Sequence, residues 1–232
     1  AEEGKPMWYF YGYQDDGIFN SWGEVQSYTN DEGNLIQPNA VPGDIKFKDI
    51  NGDGDINEDD KTMIGNPHPK WSFSLSSTLK YKNFDLNLFF NGRAGVDTYF
   101  GAYRTDLNMN NKPEFFYEEA WTTQNTSADF PRKTVDDANR NFSHNSMFVF
   151  DGSFIRLQSA ELGYTLPEKL TSKVKVEKLR VYISGQNLFL LTKYPGDPEV
   201  GNTGGYGGSS IGVDRGLYPR SRILSIGANV NF

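Results

Sequence analysis

Apolar and polar residues alternate one for one through several long segments of this chain. From Trp71 to Tyr81, residues Trp71, Phe73, Leu75, Leu79 and Tyr81 fall on one side, and Ser72, Ser74, Ser76, Thr78 and Lys80 on the other. After Lys82 and Asn83 the pattern restarts, with Phe84, Leu86, Leu88 and Phe90 against Asp85, Asn87, Asn91 and Arg93. Successive side chains of an extended strand point to opposite faces, so each run predicts a strand with one apolar and one wet face. The short link between the runs predicts a β-hairpin. The same alternation sets Leu179, Val181 and Ile183 against Arg180, Tyr182 and Ser184. At the end of the sequence it sets Leu224, Ile226, Ala228, Val230 and Phe232 against Ser225, Gly227, Asn229 and Asn231. One segment breaks phase: Ile155 and Leu157 share a parity that Ala160, Leu162 and Tyr164 do not. A bulge near Gln158–Ala160 reconciles them.

In water, a last strand with one fully apolar face is an edge that invites aggregation. In a membrane barrel the same two faces meet lipid and a watery lumen. Each hairpin arm has about the 9–11 residues that a tilted membrane strand needs. Tyr81 and Phe84 flank the tight turn, where an interfacial aromatic girdle belongs. The connections alternate too. Lys82–Asn83 and Pro167–Val176 are short, whereas residues 20–68, 94–152 and 192–220 are long and rich in polar residues and glycine. Short periplasmic turns alternating with long extracellular loops are the habit of outer-membrane barrels. The expected fold class is therefore all-β: strands of an antiparallel transmembrane β-barrel with long extracellular loops. The aromatic run Gly4–Tyr13 alternates poorly and predicts an extended, partly strand segment, which brings the expected strands to about six. Pro113–Trp121 predicts a short helix.

Composition narrows this picture. Hydrophobic residues make up 37% of the 232, but aromatic residues reach 15%, with 17 Phe and 13 Tyr. No stretch of about 18 or more apolar residues occurs, which excludes a membrane-spanning helix and leaves a barrel open. A net charge of -7 argues against nucleic acid as a partner. With no cysteine there are no disulfides or thiolate metal sites, and His68 and His144 stand far apart. The chain starts Ala1-Glu2-Glu3-Gly4 with no export signal, so an envelope protein is expected here as a mature piece or a fragment.

Residues 20–68 carry the sharpest motif, Asp49-Ile-Asn-Gly-Asp-Gly-Asp-Ile-Asn-Glu-Asp-Asp60. Set against a twelve-position calcium loop, Asp49, Asn51 and Asp53 take the first, third and fifth places, and Gly54 the sixth, where the chain turns sharply. Asp55 would ligate through its carbonyl, Asn57 directly or through water, and Asp60 from the twelfth place. Asp60 stands where an EF-hand has Glu, and no helix-forming sequence precedes the loop. The plainer reading is a solvated acidic turn. The calcium reading makes the ion structural, since no carboxylate pair or nucleophile–base set suggests hydrolysis and no catalytic residue is assigned. Tyr103, Trp121 and Tyr206 are candidates for stacking on sugars, although packed loop cores are the commoner use of such residues.

Beyond these patterns, Pro42–Asn57, Ile64–Lys70, Gly152–Leu157, Leu162–Pro167, Val181–Phe189, Thr192–Tyr194, Asp197–Val200 and Tyr218–Arg222, with the terminal Asn231-Phe232, follow one another in a familiar order. Together they resemble the C-terminal barrel region of the SusC/RagA-type TonB-dependent transporters, over nearly the whole chain. The resemblance implies a barrel of about 22 strands when complete, filled by an N-terminal plug that this chain does not contain. It implies outer-membrane import of glycans or peptides in a Gram-negative bacterium, powered through the TonB complex. A SusD-like surface lipoprotein would be the lid, and Phe232 part of the signal read by the barrel-assembly machinery. Membrane lipid, the remaining barrel and the plug would be its other contacts, and no residue can be assigned to the ligand. The alternative is a secreted calcium-dependent glycan-binding β module, which the calcium-type loop and the aromatics suit but the polar strand faces do not.

Overall fold

The computed structural model describes residues 3–102, 113–172, 175–199, 211–216 and 218–232. The strands are β1 (Phe10–Tyr13), β2 (Asp15–Ile18), β3 (Ile45–Phe47), β4 (Lys61–Gly65), β5 (Trp71–Tyr81), β6 (Phe84–Ala94), β7 (Asp97–Phe100), β8 (Val149–Asp151), β9 (Phe154–Thr165), β10 (Lys178–Thr192), β11 (Val213–Asp214) and β12 (Ile223–Asn231). Three short helices accompany them: α1 (Trp22–Ser27), α2 (Glu114–Glu118) and α3 (Glu168–Thr171). These elements form two compact units. One draws on residues 69–96, 151–200 and 218–232, the other on 1–68, 97–150 and 201–217.

The first unit is a five-stranded antiparallel sheet in the order β12-β10-β9-β6-β5. The expected hairpin is present: Tyr81 pairs with Phe84 across the turn and Trp71 with Ala94 at the far end. Eleven residues per arm extend about 37 Å, or about 28 Å at a 40° tilt, enough to cross an apolar band about 25 Å tall. Directly paired residues share a face, and the register keeps like with like: Leu79–Leu86–Leu162–Ile183–Ile226 runs across all five strands. On the opposite face, Lys80 pairs with Asp85, and Asn87 with Glu161. The bulge is present at Gln158, because Phe89 pairs with Ser159 while Phe90 pairs with Leu157. A second irregularity lies beside it in β10: Ser159 pairs with Gln186 but Leu157 with Phe189, and Asn187 takes a left-handed φ of 53°. Glycine is required where large side chains cross the sheet. A Cβ on Gly227 would meet the Tyr182 ring at 2.4 Å, and one on Gly163 would meet the Arg180 guanidinium at 2.2 Å.

The second unit corrects two expectations. The aromatic N-terminal run does not supply a sixth strand of the large sheet. Instead β1 pairs with β4, because Phe10 and Tyr13 are buried on this unit's own core and Phe10 packs on Tyr99. Nor are residues 20–68 and 94–152 plain connections, since they hold α1, β3, β4, β7, α2 and β8. Further pairs are β2 with β3, and β7 with β8 and, in parallel, with β11. The core is aromatic: Phe116 and Phe130 lie 4.9 Å apart, and Phe148 stacks on both Phe130 and Phe142. The predicted helix forms as α2 and contributes Phe116 to this core. α1 begins where the Ser21 hydroxyl accepts the N–H of Glu24, whose carboxylate accepts the N–H of Asn20.

Candidate functional site

The large sheet presents its apolar face uncovered. Ile226 is 87% exposed, Leu224 80% and Trp71 72%, with Leu75, Leu79, Ile183 and Leu191 also exposed. Contiguous exposed apolar surface on this scale marks a face built to meet something apolar. Its rim at the short turns is aromatic: Tyr81 and Phe84 are exposed, the Phe84 and Tyr164 rings lie 4.7 Å apart, and Lys82 lies over Tyr81. Phe232, 90% exposed, follows β12 at the end that pairs with Lys178.

The polar face is held by charge. Arg180 forks onto both oxygens of Asp85 and reaches Glu161 Oε1 at 2.7 Å, so three neighbouring strands are tied by one guanidinium. Farther along β9, Arg156 is only 2% exposed. Its Nη2 lies 2.5 Å from Asp197 Oδ1, and its Nε 2.7 Å from Glu199 Oε2. The second Asp197 oxygen accepts the N–H of Arg220. Sequence reasoning missed this cluster. Its signal was an isolated arginine at a polar-face position, with two carboxylates flanking a proline in Asp197-Pro-Glu199.

The acidic loop is wrapped as its motif suggests. Gly52 and Gly54 have left-handed φ values of 76° and 85°. The Asp49 carboxylate accepts the N–H groups of Gly52 and Gly54, at 2.6 and 2.8 Å. Asp60, fully buried, accepts from Ile50 and Asn57, both at 2.8 Å. Asn51 and Asn57 both donate to Asp53 Oδ2, and the N–H of Asp55 bonds Asp53 Oδ1. The Asn51 amide first, and the Asp55 N–H after it, hold the Asp53 carboxyl below its usual range. Among the described residues, no three His, Cys, Asp or Glu side chains gather closely enough to hold a metal. The six predicted ligands, two of them asparagines and one a backbone carbonyl, share this one loop. The donor set still suits a hard cation: all donors are oxygen, and a carboxylate has about four lone-pair sites, of which the loop amides occupy two on Asp49. Nearby, Tyr28 donates to the carbonyl of Phe47, and burial raises its pKa.

Of the loop aromatics, Trp121 is engaged, its Nε1 donating to Asn20 and its ring lying where a Cβ on Gly43 would be. Tyr103 and Tyr206 lie outside the described residues. Around Gly43, a buried polar network does the work of a core. Asn141 accepts from the N–H of Ile45 and donates to Asp44 and Asp137. Gln37 and Asn139 both donate to the carbonyl of Ile45, and Arg132 pairs with Asp44.

No protein-family model matches the chain. TonB-dependent receptor P3 of Formosa agariphila is 34% identical over 243 residues, an alignment covering 99% of this chain and 22% of that receptor. The TonB-dependent receptor SusC of Bacteroides thetaiotaomicron is 29% identical over 200 residues, covering 85% of this chain and 18% of SusC. The chain is homologous to a segment of TonB-dependent receptors. It spans less than a quarter of the length of these relatives. Among solved structures, the RagAB peptide importer in its open-open state superposes with a TM-score of 0.64 at 21% identity, over 97% of this chain and 22% of the matched chain. The antiparallel sheet accordingly matches, in fold, a segment of a TonB-dependent receptor β-barrel.

Proposed function

We propose that this segment forms five adjacent strands in the wall of an outer-membrane importer of glycans or peptides in a Gram-negative bacterium. The observation that carries this reading is the large sheet's uncovered apolar face, backed by a charged face in strict register. Lipid covers the first, and an aqueous passage borders the second. A free-standing secreted module would have to bury the first face, and no described element of its unit does so. The rest of the barrel and a plug, carried outside this segment, complete the passage. The TonB complex energises it, and a SusD-like lipoprotein closes it from outside. Phe232 serves the barrel-assembly machinery. Transport asks no covalent chemistry of these residues. The test is site-directed spin labelling of the complete receptor in lipid. Labels at Leu86 and Ile226 should be relaxed by oxygen dissolved in the bilayer, and labels at Asn87 and Asn229 by a water-soluble nickel chelate. Equal responses from both pairs would remove the barrel assignment.

The 49–60 loop is proposed to bind Ca²⁺ on the extracellular side through Asp49, Asn51, Asp53, the Asp55 carbonyl, Asn57 and Asp60. The spacing, the oxygen-only donors and the two left-handed glycines support this. The ion's role is structural: it would draw the acidic side chains onto one centre and stiffen the loop. Calorimetric titration of the complete receptor with Ca²⁺, repeated with Asp53→Ala, tests it. Identical heats from both proteins would remove the site.

A further inference from the structure

The buried ion cluster on the polar face joins parts of the chain that sequence order keeps apart. Arg156 stands near the start of β9. Asp197 and Glu199 belong to the limb by which the 193–222 connection leaves β10. Arg220 belongs to the limb by which it returns to β12. Asp197 accepts from Arg156 on one oxygen and from the Arg220 N–H on the other, at 3.2 Å. Glu199 Oε2 stands 2.7 Å from Arg156 Nε as an ion pair without hydrogen-bond alignment, and Asn91 of β6 approaches the other oxygen at 3.5 Å. The carboxylates are as buried as the guanidinium, at 6% and 9% exposure, and Tyr194 and Pro198 beside them are buried too. Carboxylates removed from water are stable only with their cations: deleting Arg156 strands Asp197 and leaves Glu199 only the exposed Arg220 guanidinium, whose Nε lies 3.8 Å from Oε2.

We propose that Arg156 is a positioning residue that latches both limbs of this connection onto the polar face of the wall, so that they line the passage instead of standing free above it. Taking the polar face as the passage rests on the barrel reading. The latch itself rests on the ion cluster alone. A guanidinium suits the task because its planar fork serves two carboxylates at once, where a lysine ammonium is a single point charge.

The chain has no cysteine, so a thiol introduced into it reports from one place in this segment. In the complete receptor in outer-membrane vesicles, Pro198→Cys should react slowly with a water-soluble maleimide. Adding Arg156→Met should speed labelling at least tenfold, and Arg156→Lys should fall between. The combination Arg156→Met, Asp197→Asn and Glu199→Gln leaves no buried charge stranded, which guards against failure of the single variant to assemble. It too should label fast. Thr171→Cys, buried at the end of α3 in the β9–β10 connection, is the control and should stay protected throughout. Unchanged labelling at Pro198→Cys in the triple variant overturns the latch, as does equal acceleration at Thr171→Cys, which would mean general loosening. If labelling changes as expected while spin labels at Ile226 meet no lipid-dissolved oxygen, the latch stands and the barrel reading falls.

Discussion

In the large sheet, Leu224 and Ile226 stand almost wholly exposed while Arg156 is buried. In the other unit Phe116, Phe130 and Phe148 are buried, and Asp44 and Asn141 are buried too, inside a mesh of side-chain amide hydrogen bonds. The first arrangement is stable where lipid supplies the apolar solvent, because backbone groups are paired between strands and apolar side chains need no other cover. The second is the arrangement of a protein in water, where irregular backbone is buried only if side chains satisfy it. One chain thus carries two patterns of burial, one in residues 69–96, 151–200 and 218–232 and the other in the remaining unit.

The most severe test of that difference places charge on each face of the sheet. Leu88→Arg, mid-way along β6, should cost about 2–4 kcal/mol near the bilayer midplane, and should abolish assembly of the complete receptor as judged by heat-modifiable mobility in gels. Asn87→Lys and Asn229→Lys should assemble normally. In the other unit the damaging change is loss of an amide. Asn141→Ala strands the Ile45 N–H and removes a donor from Asp44 and from Asp137, at a cost of about 3 kcal/mol. Limited proteolysis should then cut residues 20–68 while the sheet remains resistant. Gly227→Val is milder, about 1–3 kcal/mol, because its side chain must displace the Tyr182 ring. It should lower the temperature at which the barrel unfolds without preventing assembly.

The smallest effect expected is that of pH on the acidic loop. The Asp53 carboxyl is held low by the Asn51 amide, so the order it lends is present above the ordinary aspartate pKa of about 3.9 and is lost as pH falls through the lower folded value. Fluorescence from a probe on the loop should be constant from neutrality to about pH 4 and change only below it. Asp53→Asn should remove that transition.

How much of this was written locally follows from the same contrast. Alternation within a strand is a local signal, so the hairpin, both faces and the Gln158 bulge were legible. The bulge showed itself because one extra residue inverts the phase, putting Ile155 and Leu157 at odds with Ala160 and Leu162. The irregularity in β10 did not, because β10 spends three steps from Gln186 to Phe189 where β6 spends one from Phe89 to Phe90. Two added residues restore the parity. The helix at Glu114–Glu118 was legible from its composition. The amide mesh was not, since Asn141 and Ile45 are 96 residues apart and nothing near either asparagine or isoleucine names its partner. For the same reason Asp197-Pro-Glu199 read as a loop and not as the counter-charge of an arginine 41 residues earlier. The acidic loop lies between these cases: its turns were legible, while the way its carboxylates turn to its own amides depended on the folded geometry.

The step from β6 to β9 has a consequence for how such a wall can change in length. In β5, β6 or β12, losing one codon mid-strand would turn every side chain beyond it from one face to the other, trading leucine for asparagine on the apolar face. At Gln158 the same loss keeps both faces and straightens the pairing with β6, where Leu157 still meets Phe90 and Ser159 still meets Phe89, while the surplus in β10 opposite grows from one residue to two. A single-residue gain or loss is therefore cheap at that one rung and ruinous elsewhere. Length variation among genes encoding this segment should collect there, as it does in surface loops.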